Sequence, residues 1–163
     1  MKKVLSFTVV FILFACNSKN DKEPIAKSEE GKNYRFDFPD TLIVNKKYKG
    51  VLHYESKLDS ISTKIGDSKN YRYSRLLISK TAKLSFDNDE ILKKVKDTFW
   101  AKNNREIILT DISFNKTGVF YIEGFIYNIA GVKLDTKDEN GEYMYDMIEE
   151  YEPVVHKVVV RDK

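Results

Sequence analysis

The residues of this chain that could do chemistry are few and scattered. Two histidines are present, His53 and His156, each inside a stretch that alternates like a strand. A zinc site would need one or two further good ligands, so a structural or exposed histidine is the preferred reading of both. Between Asp135 and Glu152 run eight acids, Asp135, Asp138, Glu139, Glu142, Asp146, Glu149, Glu150 and Glu152, against one base, Lys137. Acids at that density make either a solvated face or a cation site. Asp135, Asp138, Asn140 and Glu142 are the candidate cation- or partner-binding residues, with a solvated hairpin tip as the simpler account. Glu142, Asp146 and Glu149 are the acids a small hydrolase would draw on.

Motif matches fail where the mechanism needs them. An EF-hand loop with Gly141 at its sixth position puts Asp138 and Asn140 correctly, but Thr136 and Met147 stand where the first and last carboxylates belong. The seven glycines contain no Gly-x-Gly pair, which removes dinucleotide and phosphate loops, and there is no Gly-x-Ser-x-Gly elbow. Gly66-Asp67-Ser68 is similar to the nucleophile block of one lipase family, but Lys69 occupies the leucine position that follows. Ser113 and Lys116 fit Ser-x-x-Lys by letters only, because that serine begins a helix and Ser113 lies in a strand. No pattern calls for a cofactor. Trp100, beside Phe99, together with Tyr71, Tyr73, Tyr121 and Tyr127 could form an aromatic platform for a ligand, although strand aromatics are more often core or cross-strand pairs.

The remaining chemistry is at the only cysteine, Cys16. Lys2 and Lys3 precede an apolar run, Val4 to Ala15, interrupted only by Ser6 and Thr8. That is a signal-peptide pattern, too short for a span of about 20 apolar residues. Leu13-Phe14-Ala15-Cys16 resembles the lipobox of bacterial lipoproteins, with leucine three positions before the cysteine and a small residue just before it. The resemblance implies cleavage after Ala15, lipid on Cys16, and a cell-envelope location, at the outer membrane on its periplasmic or surface side. The alternative is an ordinary secretory signal that leaves a free thiol. Residues 1–15 are thus expected to be a signal peptide, 16–33 a tether of charged and small residues, and 34–163 one domain.

Aromatics make up 13% of the chain, with Tyr and Phe ahead of the small helix formers, which favours strands. Without Lys2 and Lys3 the bases number 26 against 25 acids, so the mature chain is near neutral and nucleic-acid binding, which needs a basic surface, is excluded. Short β-type runs are predicted at Tyr34 to Phe38, Thr41 to Val44, Gly50 to Ser56, Tyr71 to Ser79, Arg105 to Phe114, Gly118 to Asn128 and Val154 to Val160. The last two-strand element is a hairpin around Asn140-Gly141, preferred to a helix over Tyr143 to Tyr151. One short helix is expected near 87–100, opened by Asp87 with Glu90 three residues on and followed by Ile91, Leu92, Val95 and Phe99 at helical spacing.

Seven or so short strands argue for a β-sandwich. Asn115-Lys116-Thr117-Gly118-Val119-Phe120 resembles the E-to-F corner of immunoglobulin-like domains, with lysine in place of the acid and phenylalanine in place of the tyrosine. The expectation is a mainly β, single immunoglobulin-like β-sandwich, monomeric and lipid-anchored, that binds an envelope protein or a glycan without catalysis. A small envelope hydrolase, or an accessory or inhibitor protein, is the alternative.

Overall fold

The computed structural model describes residues 32–62, 64–66, 70–85 and 87–163. The leader, Cys16, all of the expected tether but residues 32 and 33, and the Asp67-Ser68 pair lie outside them. The described chain is mainly β. It comprises strands β1 (Tyr34–Asp37), β2 (Thr41–Ile43), β3 (Tyr48–Tyr54), β4 (Asn70–Thr81), β5 (Asp97–Asn103), β6 (Glu106–Ile112), β7 (Gly118–Lys137) and β8 (Tyr143–Arg161), with a 3-10 turn at Lys57–Ser60 and one helix, α1 (Asn88–Lys94). Among the described residues no helix is long and apolar enough to cross a membrane.

The strands form one curled, mixed sheet in the order β1-β3-β6-β5-β4-β7-β8-β2. Every pairing is antiparallel except β2 with β8. β5 turns the corner: its first half, Asp97 to Trp100, pairs with β4, and its second half, Ala101 to Asn103, pairs with β6. The curl brings the first strand back to the eighth, where the Val155 amide donates to the Tyr34 hydroxyl at 3.0 Å.

Alternation decides what lies inside the curl. Leu52 and Tyr54 from β3, Leu76 and Ile78 from β4, Ile122 and Ile126 from β7, and Val154, Val158 and Val160 from β8 are buried together. On β6, Ile107 and Leu109 point inward, and so does Ile112, an odd number of residues on. Asp111 adopts φ 57 in a bulge opposite β3, which inserts one residue and restores the apolar phase. Ile108 is left outside. The sheet closes around Phe38, which packs over Gly50, where a Cβ would lie 2.5 Å from the Phe38 ring.

Two expectations change. The helix stops at Lys94 instead of running to residue 100. Asp87 caps it as expected, accepting from the Glu90 amide at 3.0 Å, but Val95 leaves the helical region with ψ 128. Thr98, Phe99 and Trp100 are strand formers that gain a ladder by pairing with β4, and Phe99 then packs on the core while Leu92 stays exposed. The final segments are also fewer and longer. The stretch around Gly131 continues β7, and Pro153 lies within β8. Proline is tolerated there because β2 pairs only with Val159 to Arg161, so the far side of β8 at Pro153 is a sheet edge.

An ionic cluster plugs one end of the core. Arg72, fully buried on the inner face of β4, meets the Asp59 carboxylate and the Ser62 carbonyl, and Arg105 binds the other Asp59 oxygen. Burial pushes the Asp59 pKa up, but Arg105 and Arg72 outweigh it and hold it below the usual carboxylate value. Removing one partner of such a pair leaves an uncompensated buried charge, so Asp59→Ala is expected to lose about 3–5 kcal/mol in urea unfolding.

His156 lies on the inner face of β8 between Phe36 and Phe38, with ring centroids at 5.0 and 5.8 Å, and Asp40 at 3.4 Å. Burial lowers its pKa, which Asp40 and the Pro39 backbone only partly offset. Above pH 6.5 the imidazole is neutral in both folded and unfolded chains. Below it the unfolded chain takes up a proton that the folded one resists, and stability falls. The urea midpoint is therefore expected to drop between pH 6.5 and 5, a window above the ordinary values of Asp59 and Glu106, 3.8 and 4.5. In His156→Gln that drop should flatten.

Candidate ligand-binding face

The outer face of β5-β4-β7-β8 divides into two halves. Over the lower half, α1 packs on β4 and β7, burying Ile91 and Phe125. The segment before α1 is pinned by Glu123, a fully buried carboxylate that accepts from the Ser85 amide at 2.9 Å and its hydroxyl at 3.3 Å. A cleft of about 560 Å³ beside α1 is lined by charged and polar groups that satisfy one another: Lys94 donates to Ser85 at 2.7 Å and pairs with Glu90 at 3.8 Å.

Nothing in the described chain covers the upper half. Strand alternation places Tyr71, Tyr73 and Arg75 of β4 outward, and the register aligns them with neighbours far away in sequence. Arg75 stands opposite Trp100 on β5 and Tyr127 on β7, and Tyr127 stands opposite Tyr151 on β8. Tyr73 aligns with Ile129, and Tyr71 with Gly131 and then Met147. These side chains, Tyr151 apart, line an open cleft of about 380 Å³, and Tyr151 flanks it against the Tyr127 ring. Trp100 is its most prominent wall, 60% exposed.

The cleft is held by ring contacts. Tyr71 and Tyr73 lie 4.3 Å apart, Tyr73 and Trp100 6.4 Å, and Tyr127 and Tyr151 4.7 Å. Among the described residues that line it Arg75 is the only cation: the guanidinium lies 5.5 Å from the Trp100 ring centre and 4.9 Å from that of Tyr127. Among the described residues no carboxylate pairs with it, and its Nε is buried without a hydrogen-bond partner. Tyr127 is pushed up to about 12, first by burial and then by the neighbouring Glu149 carboxylate. Gly131 keeps the floor open, since a Cβ there would lie 2.9 Å from the Met147 sulfur and 3.3 Å from Tyr71.

The aromatic platform foreseen in the sequence is thus assembled in part. Tyr71, Tyr73, Trp100 and Tyr127 share the cleft; Tyr121 is on the same face but six residues further along β7, and Phe99 turns inward to the core. Arg75, Met147, Tyr151 and Gly131 were not singled out from the sequence. The alternation of Tyr71-Arg72-Tyr73-Ser74-Arg75 carried a signal for Arg75 alone.

The acidic segment is arranged as a turn. Asp138 accepts from the Asn140 and Glu142 amides, both at 2.9 Å, and Gly141, at φ 80, completes the hairpin. These backbone donors, that of Glu142 first, hold the Asp138 pKa below its usual value. Asp135 and Glu142 are exposed beside it. Among the described residues no three His, Cys, Asp or Glu side chains group closely enough to hold a metal ion. Asp146 and Glu149 project from opposite faces of β8 by strand parity, so they do not form a carboxylate pair. His53 faces Glu106 at 3.9 Å on the outer side of β3, whereas His156 points into the curl, and Ser113 follows β6 away from any helix start.

No family model, curated protein or solved structure matches this chain.

Because Trp100 packs on the surface and not in the core, Trp100→Ala should change stability by less than about 1 kcal/mol. Leu76→Ala, within the curl, should cost about 2–5 kcal/mol. Urea unfolding of both variants checks the contrast.

Proposed function

We propose that this chain is a lipid-anchored cell-envelope lipoprotein whose domain acts as a non-catalytic binding module. The observation that carries the reading is the uncovered aromatic face. A sheet face with Trp100, Tyr71, Tyr73, Tyr151 and Met147 exposed around a half-buried Tyr127 costs solvation free energy, at roughly 25 cal/mol per Å² of apolar surface left in water. Patches of that kind mark interaction sites. The anchor rests on the lipobox around Cys16: each buried methylene contributes about 0.8 kcal/mol, so several acyl chains hold a domain on a bilayer where one holds it marginally.

We also infer the finer architecture, an immunoglobulin-like β-sandwich. Two features support it. Taking β1, β3, β6 and β5 as A, B, E and D, and β4, β7 and β8 as C, F and G, reproduces both sheet orders of that family, with β2 added beside G. The corner-like sequence Asn115 to Phe120 then falls between E and F, where Phe114 and Phe120 stack at 5.2 Å. The exposed Trp100 on D departs from the family, whose antibody members bury a tryptophan on C.

The anchor is tested by fractionating cells that express the natural chain or Cys16→Ser, with protease added to intact cells. Cys16→Ser is expected in the soluble fraction and the natural chain in the membrane. Unchanged membrane retention of Cys16→Ser would contradict the anchor.

A further inference from the structure

We propose that the aromatic cleft binds an acidic saccharide, a glycan carrying carboxylate groups. The inference rests on the binding-module reading above and names its ligand. The row Trp100–Arg75–Tyr127–Tyr151 crosses four neighbouring strands, so its ends lie about 14 Å apart at the usual strand spacing. A track of that length accommodates a short oligosaccharide. Pyranose rings have a C–H-rich face that stacks on aromatic rings and a hydroxyl-rich perimeter that needs donors and acceptors, and the tyrosine hydroxyls and the indole supply both. The site is an open, shallow platform with Trp100 projecting from it. Protein partners are instead anchored in deep, fully desolvated pockets.

Arg75 sets the charge. An aromatic cage without it would suit a quaternary ammonium group, but the guanidinium already lies against Trp100 and Tyr127 and repels a second cation. Its Nε has no hydrogen-bond partner and no carboxylate among the described residues forms an ion pair with it, so its charge is complementary to a carboxylate, which a guanidinium binds through two parallel hydrogen bonds.

The test applies the full-length chain, solubilised in detergent, to immobilised oligosaccharides built on uronic and sialic acids, each beside its neutral methyl ester. The acids are expected to bind about tenfold or more tightly than their esters, the scale of one charge-assisted hydrogen bond. Arg75→Gln should erase that preference and Trp100→Ala should abolish binding to both. Equal binding of acids and esters, or no binding to either, overturns the proposal.

A second arm separates this failure from failure of the binding reading. Chain and variants are co-sedimented with envelope fragments treated with periodate, which cleaves sugar diols, or with protease. Loss of Trp100-dependent sedimentation after periodate is expected. Loss after protease alone assigns the face to a protein, and Trp100-dependent self-association in sedimentation velocity assigns it to a second copy; either result overturns the saccharide and leaves a binding module. Equal sedimentation of the natural chain and Trp100→Ala removes the binding role of this face.

Discussion

The structure depends on covering both faces of β7. This twenty-residue strand lies between β4 and β8 and carries apolar or aromatic side chains on both sides for most of its length. Inward, Ile122 and Ile126 join the core of the curl, and Ala130 is buried further along. Outward, Phe125 is buried on the strand against which α1 packs. Beyond Phe125 the outward row passes to Tyr127 and Ile129, which line the cleft, and to Gly131 in its floor. The same strand therefore sets both the core and the exposed cleft.

Leaving that half uncovered creates a hazard which the sequence limits. β8 runs free along the cleft's edge, and a free apolar edge invites pairing with another chain. Glu149, Glu150 and Glu152 place charge along it, and Pro153 removes a donor. Part of this charge is also structural: the Glu150 carboxylate accepts from the Ser56 hydroxyl at 2.6 Å and from the Asn128 amide at 3.2 Å. The acidic run is thus divided between a hairpin turn at Asp138, a protected edge, and the buffering of buried polar groups.

What could be read in advance followed from local physics. The Asp87 cap, the Asn140-Gly141 hairpin and the mainly β class all depend on neighbours within a few residues. The extent of the helix did not, because Phe99 sits at helical spacing from Ile91 and Val95, and only the ladder to β4 turns it into a strand residue. The phase of β6 was hidden by the bulge at Asp111. Half of the cleft was legible as a set of aromatics, yet its composition was not, since Arg75, Trp100, Tyr127 and Tyr151 become neighbours through cross-strand register alone. Arg75 reads in sequence as one more surface cation.

The central claim is that the ligand sits on the half of the sheet that α1 leaves bare. Trp100 is the only tryptophan in the chain and stands in that cleft, so its fluorescence reports the site without labelling. The most direct measurement is the emission and acrylamide quenching of Trp100 as the full-length chain is titrated with envelope fragments shown to bind it. The account predicts a shift to shorter wavelength and protection from acrylamide that saturate together with binding. Saturable binding with Trp100 emission and quenching unchanged would place the ligand elsewhere and contradict it.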